Sequence, residues 1–284
     1  MQKDVVADEK LCYNSPADKL DRLQQTENNT MLIMSKNRIP SEALANLATP
    51  AGTDTHTPIP HATLVDYTRK ALGRAGLEIT KEEHGLSQGD QCYFGGFAIT
   101  GKEIQGDDRN LVLGLRNSHN KKFASAICIG NQMIVCDNLC FSSDVKLARR
   151  HTPKILADLP RVLALAVGRV TAHWTDMEKR IEAYKEAEIT RTQASDLLID
   201  LVDSKGYSAR DVYKTVKEFE APRHAEFKGD TLWNPYNACT EGLKGSDVSK
   251  LPQRTMTIQS VFDKLAGHKA QLTVDADSGL VLPA

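Results

Sequence analysis

The spacing of hydrophobic positions changes twice along the chain. In residues 61–76 the apolar side chains Leu64, Val65, Tyr67, Ala71, Leu72 and Ala75 recur at helical spacing, and Gly76 supplies a stop. Beyond it the apolar runs become short and rich in β-branched and aromatic residues. Residues 77–80, 91–100, 110–116, 123–129 and 132–136 read as strands. Turn chemistry separates them at Ser87-Gln-Gly-Asp, Gly106-Asp-Asp, Ser118-His-Asn and Gly130-Asn131, the last predicting a tight hairpin. Links this short force antiparallel neighbours, because a parallel crossover needs about a dozen residues or more.

Helical spacing returns at Thr152-Pro153, an N-cap followed by a first-turn proline. Leu163, Ala166, Val167, Val170, Trp174, Met177, Ile181 and Tyr184 form one stripe. The stripe predicts either one helix of about nine turns or a short helix kinked at Pro160 followed by a longer one. Further helices are expected over 191–203, 208–220 (Ser208 as N-cap), 232–243 and 253–266, and the terminal Gly-Leu-Val-Leu-Pro-Ala reads as a frayed end. Two short helices are expected near the start, one from Pro16 and one from Ser41 after Pro40. Between them and the first amphipathic helix lies a Thr- and Pro-rich linker, residues 49–60.

The fold class that follows is α+β: an antiparallel β-meander of four to five strands packed by a long helix, with a helical C-terminal region. A meander bares an apolar face, and the striped helix is its natural cover. The expected organisation is a loosely ordered extension over 1–60, an α+β core over 61–190 and a helical region over 191–284.

Composition narrows the function classes. The 284 residues are 40% hydrophobic and 26% charged with a net charge of −1, so no global basic field draws the protein onto nucleic acid. No apolar run reaches the roughly 18 residues of a membrane span, and the first residues lack a signal-peptide core. Six cysteines, none in a Cys-x-x-Cys pair, predict reduced thiols and a cytoplasmic setting. A zinc site through Cys136 and Cys140 with His119 or His151 lacks the spacing of the common structural sites, so no metal or other cofactor is expected. Walker, nucleophile-elbow and HExxH patterns do not occur, which argues against an enzyme. Asp107-Asp108, Glu82-Glu83-His84 and Asp137 are the residues from which a metal-dependent nuclease would have to be built. Gly95-Gly96, inside a strand, points to a bulge or a close backbone approach rather than a phosphate loop.

Local charge is less even than the total. From 116 to 161 eight Lys and Arg stand against three Asp, a local balance of +5. Arg116, Asn117, Lys121, Lys122, Lys146, Arg149, Arg150 and Lys154 are therefore the candidate nucleic-acid contacts, with Tyr93, Phe94 and Phe97 nearby for base stacking. The competing reading is a solvated face and a helix start, with Asn117, Asp137 and Asn138 capping turns.

One segment carries a family resemblance. Gly114-Leu-Arg-Asn-Ser118, the apolar run after it, Val135-Cys-Asp-Asn138 and Phe141 resemble the phage/plasmid-like family catalogued as domain of unknown function 932. Thr231-Leu-Trp-Asn-Pro-Tyr-Asn-Ala-Cys-Thr-Glu241 is similar to that family's C-terminal helix, so the resemblance spans roughly 60–265. The family usually has Asp where this chain has His119. The resemblance implies a protein of a mobile element. The order helix, meander, long helix is also similar to the core of single-strand annealing proteins. The function expected from all of this is non-enzymatic binding or annealing of single-stranded DNA in recombination, by a homo-oligomer. The alternative is a factor that engages a host protein to counteract a defence enzyme.

Overall fold

A computed structural model describes residues 37–104, 106, 108–133, 139–204, 207–247 and 250–268, without the side chains of 142–147. The expected helix at Pro16, the segment 134–138 and the C-terminal tail lie outside the described residues.

Six strands form one antiparallel sheet in chain order: β1 (Arg38–Ile39), β2 (Glu78–Ser87), β3 (Cys92–Thr100), β4 (Arg109–Ser118), β5 (Ser125–Met133) and β6 (Leu139–Arg149). The α+β class and the meander expected from the short apolar runs and the turns between them are what the chain adopts. The sheet differs from the four to five strands expected in two places. The segment before residue 61 adds the edge strand β1, with Arg38 opposite Gly85 and Ile39 opposite His84. Residues 139–149, expected to follow the last strand, form β6, while the strands expected at 123–129 and 132–136 give the single strand β5. A 3-10 helix (Ser41–Asn46) follows β1.

The predicted hairpin at Gly130-Asn131 does not form. β5 runs straight through both residues, with Gly130 opposite Val112 and Asn131 opposite Leu111. The glycine serves a different purpose. The β5–β6 register slips between Cys128 and Gly130, and the backbone of Cys140 and Phe141 then passes so close that any Cβ at position 130 would collide with it.

Helix α1 (His61–Arg74) precedes the meander; α2 (Ile155–Val167) and α3 (Val170–Glu186) follow it. The predicted stripe is buried along its whole length, from Leu163 to Tyr184. The break falls at Gly168-Arg169, not at Pro160, which lies within α2. Helices α4 (Arg191–Asp203), α5 (Ala209–Glu220), α6 (Trp233–Gly242) and α7 (Leu251–Ala266) follow among the described residues. Ser208 caps α5 through a capping box with Asp211, as its position before the apolar run predicts.

Both sheet faces are covered. On one, Phe97, Leu111, Leu113, Ile127 and Ile129 pack into the main core with the helical stripe; on the other, Ala98, Val112, Cys128 and Phe141 meet Met256 of α7. Burial on two sides explains why β3–β5 read as continuous apolar runs. The C-terminal helices share the main core, where the Tyr184 ring lies 5.0 Å from Tyr236 and 5.8 Å from Phe262.

Candidate functional site at the polar end of the sheet

β4 ends in Arg116-Asn117-Ser118, and its alternation sends neighbouring side chains to opposite faces. Asn117 shares the face of Leu113 and Leu115; Arg116 shares that of Val112 and Gly114.

Asn117 is fully buried and joins two histidines, with a third reaching the same backbone carbonyl. Its Nδ2 donates to Ile59 O at 2.7 Å and lies 2.9 Å from His61 Nδ1, while its Oδ1 accepts from His151 Nε2 at 2.8 Å. His119 Nε2 donates to Ile59 O at 2.8 Å, and His61 Nε2 donates to Asp90 O at 3.1 Å. Backbone carbonyls can only accept, so they fix the protons: His61 and His119 carry theirs on Nε2, and Asn117 must turn its amide nitrogen toward Ile59. His61 Nδ1 is then a bare acceptor for the second Asn117 N–H, and His151 must donate from Nε2.

The rings pack as well as bond. His61 and His119 stack parallel at 4.0 Å, Tyr93 stacks on His61 at 5.3 Å, and His56 meets His151 edge-on at 5.2 Å. Tyr93 links onward to His84, whose Nδ1 lies 2.9 Å from the phenol oxygen. The glycine pair supplies the close approach its sequence suggested, because a Cβ on Gly95 would strike the Tyr93 ring.

Four of these rings, those of His56, His61, His84 and His151, are held below the ordinary histidine value, which favours their neutral form. Burial, followed by the positive charge that His119 would add, lowers His61 to about 4. Burial, followed by repulsion from His56 and His119, does the same to His151. Burial also lowers His56, with Lys121 adding to the shift, and lowers His84 against the opposing pull of Glu82. The phenol of Tyr93 is pushed well up by burial.

The predicted basic residues divide around this network. Arg116 is partly buried on the opposite face, with its Nε shielded and without a hydrogen-bond partner. Its guanidinium lies 5.2 Å from the Phe123 ring, which packs 5.6 Å from Phe94. Burial lowers its pKa. Among the described residues no carboxylate pairs with it. Lys121 and Lys122 are exposed at the β4–β5 turn, and Lys121 adopts the left-handed conformation at φ 63°. Arg149 stands opposite Ser125, one register step from the Arg116–Ala126 pair, so it lies on the other face and pairs with Asp158, Nε to Oδ2 at 3.2 Å. Arg150 and Lys154 are exposed on the link into α2. The backbone of Lys146 faces Cys128, and its side chain lies outside the described residues. Asn117, engaged on every side, supports the strand end from beneath instead of presenting its amide to solvent.

The acidic candidates do not assemble. Glu82 is held by Arg69, Asp108 by Arg109 at 2.6 Å, and Asp107 and Asp137 lie outside the described residues. Among the described residues no group of three or more His, Cys, Asp or Glu side chains is placed to hold a metal. Cys140 is buried, with the Tyr236 hydroxyl 2.9 Å from its sulfur, and Cys136 is outside the described residues.

His56 and His61 carried no weight in the sequence, His84 entered only within the nuclease set, and His119 and His151 entered as zinc ligands, His119 also as a departure from the family's usual Asp. They come from five separate segments, so no spacing announces them. The only local signal is a histidine directly after Pro60 at the start of a helix.

Fold and site together define an α+β protein whose antiparallel meander is closed at one end by a neutral histidine–asparagine network. The chain belongs to the family described as Domain of unknown function (DUF932), whose profile matches residues 52–260. No curated protein and no solved structure matches it. No described helix is long and apolar enough to cross a membrane.

Proposed function

We propose that this protein binds single-stranded DNA at the Arg116 end of its sheet, as a non-enzymatic protein of a phage or plasmid acting in strand annealing. Arg116 carries the reading. A guanidinium that is partly buried, opposed by no carboxylate and stacked on an aromatic ring has given up water without gaining an anion, and a phosphate oxygen would complete it. Phe123 beside it, partly exposed and backed by the buried Phe94, offers a stacking surface that suits an unpaired base, and Lys121 and Lys122 at the same turn add phosphate contacts. Arg149, neutralised by Asp158 on the other face, is a weaker contact in this arrangement.

The test is fluorescence anisotropy with a labelled single-stranded oligonucleotide at about 50 mM salt, where phosphate contacts are strong. Binding should weaken steeply with salt and fall in Arg116→Ala and in the Lys121→Ala/Lys122→Ala double variant. Absence of binding at low salt would overturn the reading. A second reading, docking of a host protein, draws support from Ile199 and Val202, which are 60% and 40% exposed one turn apart on α4. A stable host-protein complex lost in Ile199→Asp, with no affinity for DNA, would favour it.

A further inference from the structure

The network around Asn117 accepts only one arrangement of protons, and this has a consequence independent of DNA binding. Two backbone carbonyls, one of them accepting twice, and one carboxamide leave His61 Nδ1 as the acceptor facing an N–H. A proton placed there would set N–H against N–H. Rotating the Asn117 amide would relieve that clash but would turn Oδ1 toward Ile59 O and Nδ2 toward the His151 N–H. One hydrogen bond is regained and two are lost.

What the network holds is specific. Ile59 O takes two of its hydrogen bonds, and Thr57 N donates to His151 O at 3.0 Å. Segment 53–60, which precedes α1, is thereby fastened to the ends of β3 and β4 and to the link after β6. The groups facing His61 are Tyr93 from β3, Asn117 and His119 from β4 and its turn, His151 from the β6–α2 link, and the Asp90 carbonyl from the β2–β3 turn. His56 of the segment itself feels Lys121, His119 and His151. Among the described residues no carboxylate side chain contacts these four rings, so an added charge meets only neutral or positive neighbours.

We propose that this network is a proton-operated clasp, in which a proton taken up at His61 Nδ1 breaks the Asn117 hydrogen bonds and loosens segment 53–60 from the polar end of the sheet. Depression of the His61 and His151 pKa values toward 4 agrees with an uncharged resting state.

Hydrogen exchange of the full chain, followed between pH 7.5 and 4.5 and corrected for intrinsic rates, tests it. Amides of 53–61 should lose about tenfold or more of their protection on acidification while β3–β5 stay protected. His61→Asn, which keeps an acceptor near the Nδ1 position but cannot take up the proton, should flatten that response. Uniform loss across the sheet, or an unchanged response in His61→Asn, would overturn the clasp. Nitrogen-15 NMR of the wild-type imidazoles at pH 7.5 gives a second reading that needs no variant to fold. Nε2–H tautomers at His61, His119 and His151 are expected, and a protonated Nδ1 at His61 would overturn the proposal.

Discussion

Two of the buried polar networks among the described residues are built on opposite principles. At the open end of the sheet, Asn117 bonds His61 and His151, which burial holds well below the ordinary histidine value, and the network's hydrogen bonds run mainly to backbone. Between α3 and α7, charge does the work. Arg180, 3% exposed, donates from Nε to Asp263 at 2.9 Å and lies 3.3 Å from Asp176, while the Tyr184 hydroxyl donates to Asp263 at 2.6 Å. The charged clasp ties two helices whose registers the apolar stripe already fixes. The neutral network ties a non-helical segment with few apolar anchors besides Ile59 to the ends of β3 and β4 and to the link after β6. Charge tolerates a change of pH that leaves its partners ionised; a network with a single proton pattern does not.

The largest effect expected from breaking this contrast is at Arg180. Its removal strands Asp176 and Asp263 in a buried setting, so Arg180→Ala should cost about 3–5 kcal/mol in chemical denaturation. Asn117→Ala should cost less, about 2–3 kcal/mol, because it orphans His61 Nδ1 and His151 Nε2 but no charge. If Asn117→Ala matched Arg180→Ala, the polar end would carry as much of the fold as the clasp, and the division drawn between them would fail.

Acid separates the two next. His61 and His151 stand at about 4 in the folded protein against 6.5 when unfolded, so between those values the unfolded chain binds more protons. Stability contributed by these rings is therefore lost as pH falls from 6.5 toward 4. Asp263 runs the other way: burial raises it despite Arg180, so its contribution is present below the unfolded value and is lost as pH rises through the folded one. Thermal midpoints should drop from pH 7 to 4.5 in the wild type and drop less in His61→Asn. An Asp263→Asn variant should leave the histidine-driven part of that slope unchanged.

Much of the scaffold was legible in the sequence and much of the site was not, for a physical reason. Helical stripes and strand runs are local, so the stripe from Leu163 to Tyr184 and the strands from Gln91 to Ile129 could be read directly. Gly130-Asn131 misled because a glycine in an apolar run marks either a turn or a close backbone approach, and only the partner strand decides which. Arg116 and Arg149 looked like one patch because linear charge counts ignore strand parity, and a one-step difference in register sends them to opposite faces. The histidine network depends on five segments meeting at one sheet end, and no window of sequence holds more than one or two of its members.

The smallest effect concerns how α7 joins both regions. Thr255 bonds both backbone groups of Phe141 on the edge strand β6, accepting from its N–H at 3.1 Å and lying 3.2 Å from its carbonyl oxygen. The same helix carries Asp263 of the clasp two turns further on. Thr255→Val keeps the shape and removes the hydroxyl, so it should cost about 1 kcal/mol. If the clasp alone seats α7, Thr255→Val and Arg180→Ala should be additive in a double-mutant cycle, since Thr255 bonds Phe141 while Arg180 bonds Asp176 and Asp263. A coupling energy clearly above the roughly 0.5 kcal/mol seen for independent sites would mean that helix and edge strand dock as one unit. The charged network would then reach the sheet that the neutral network closes at its other end.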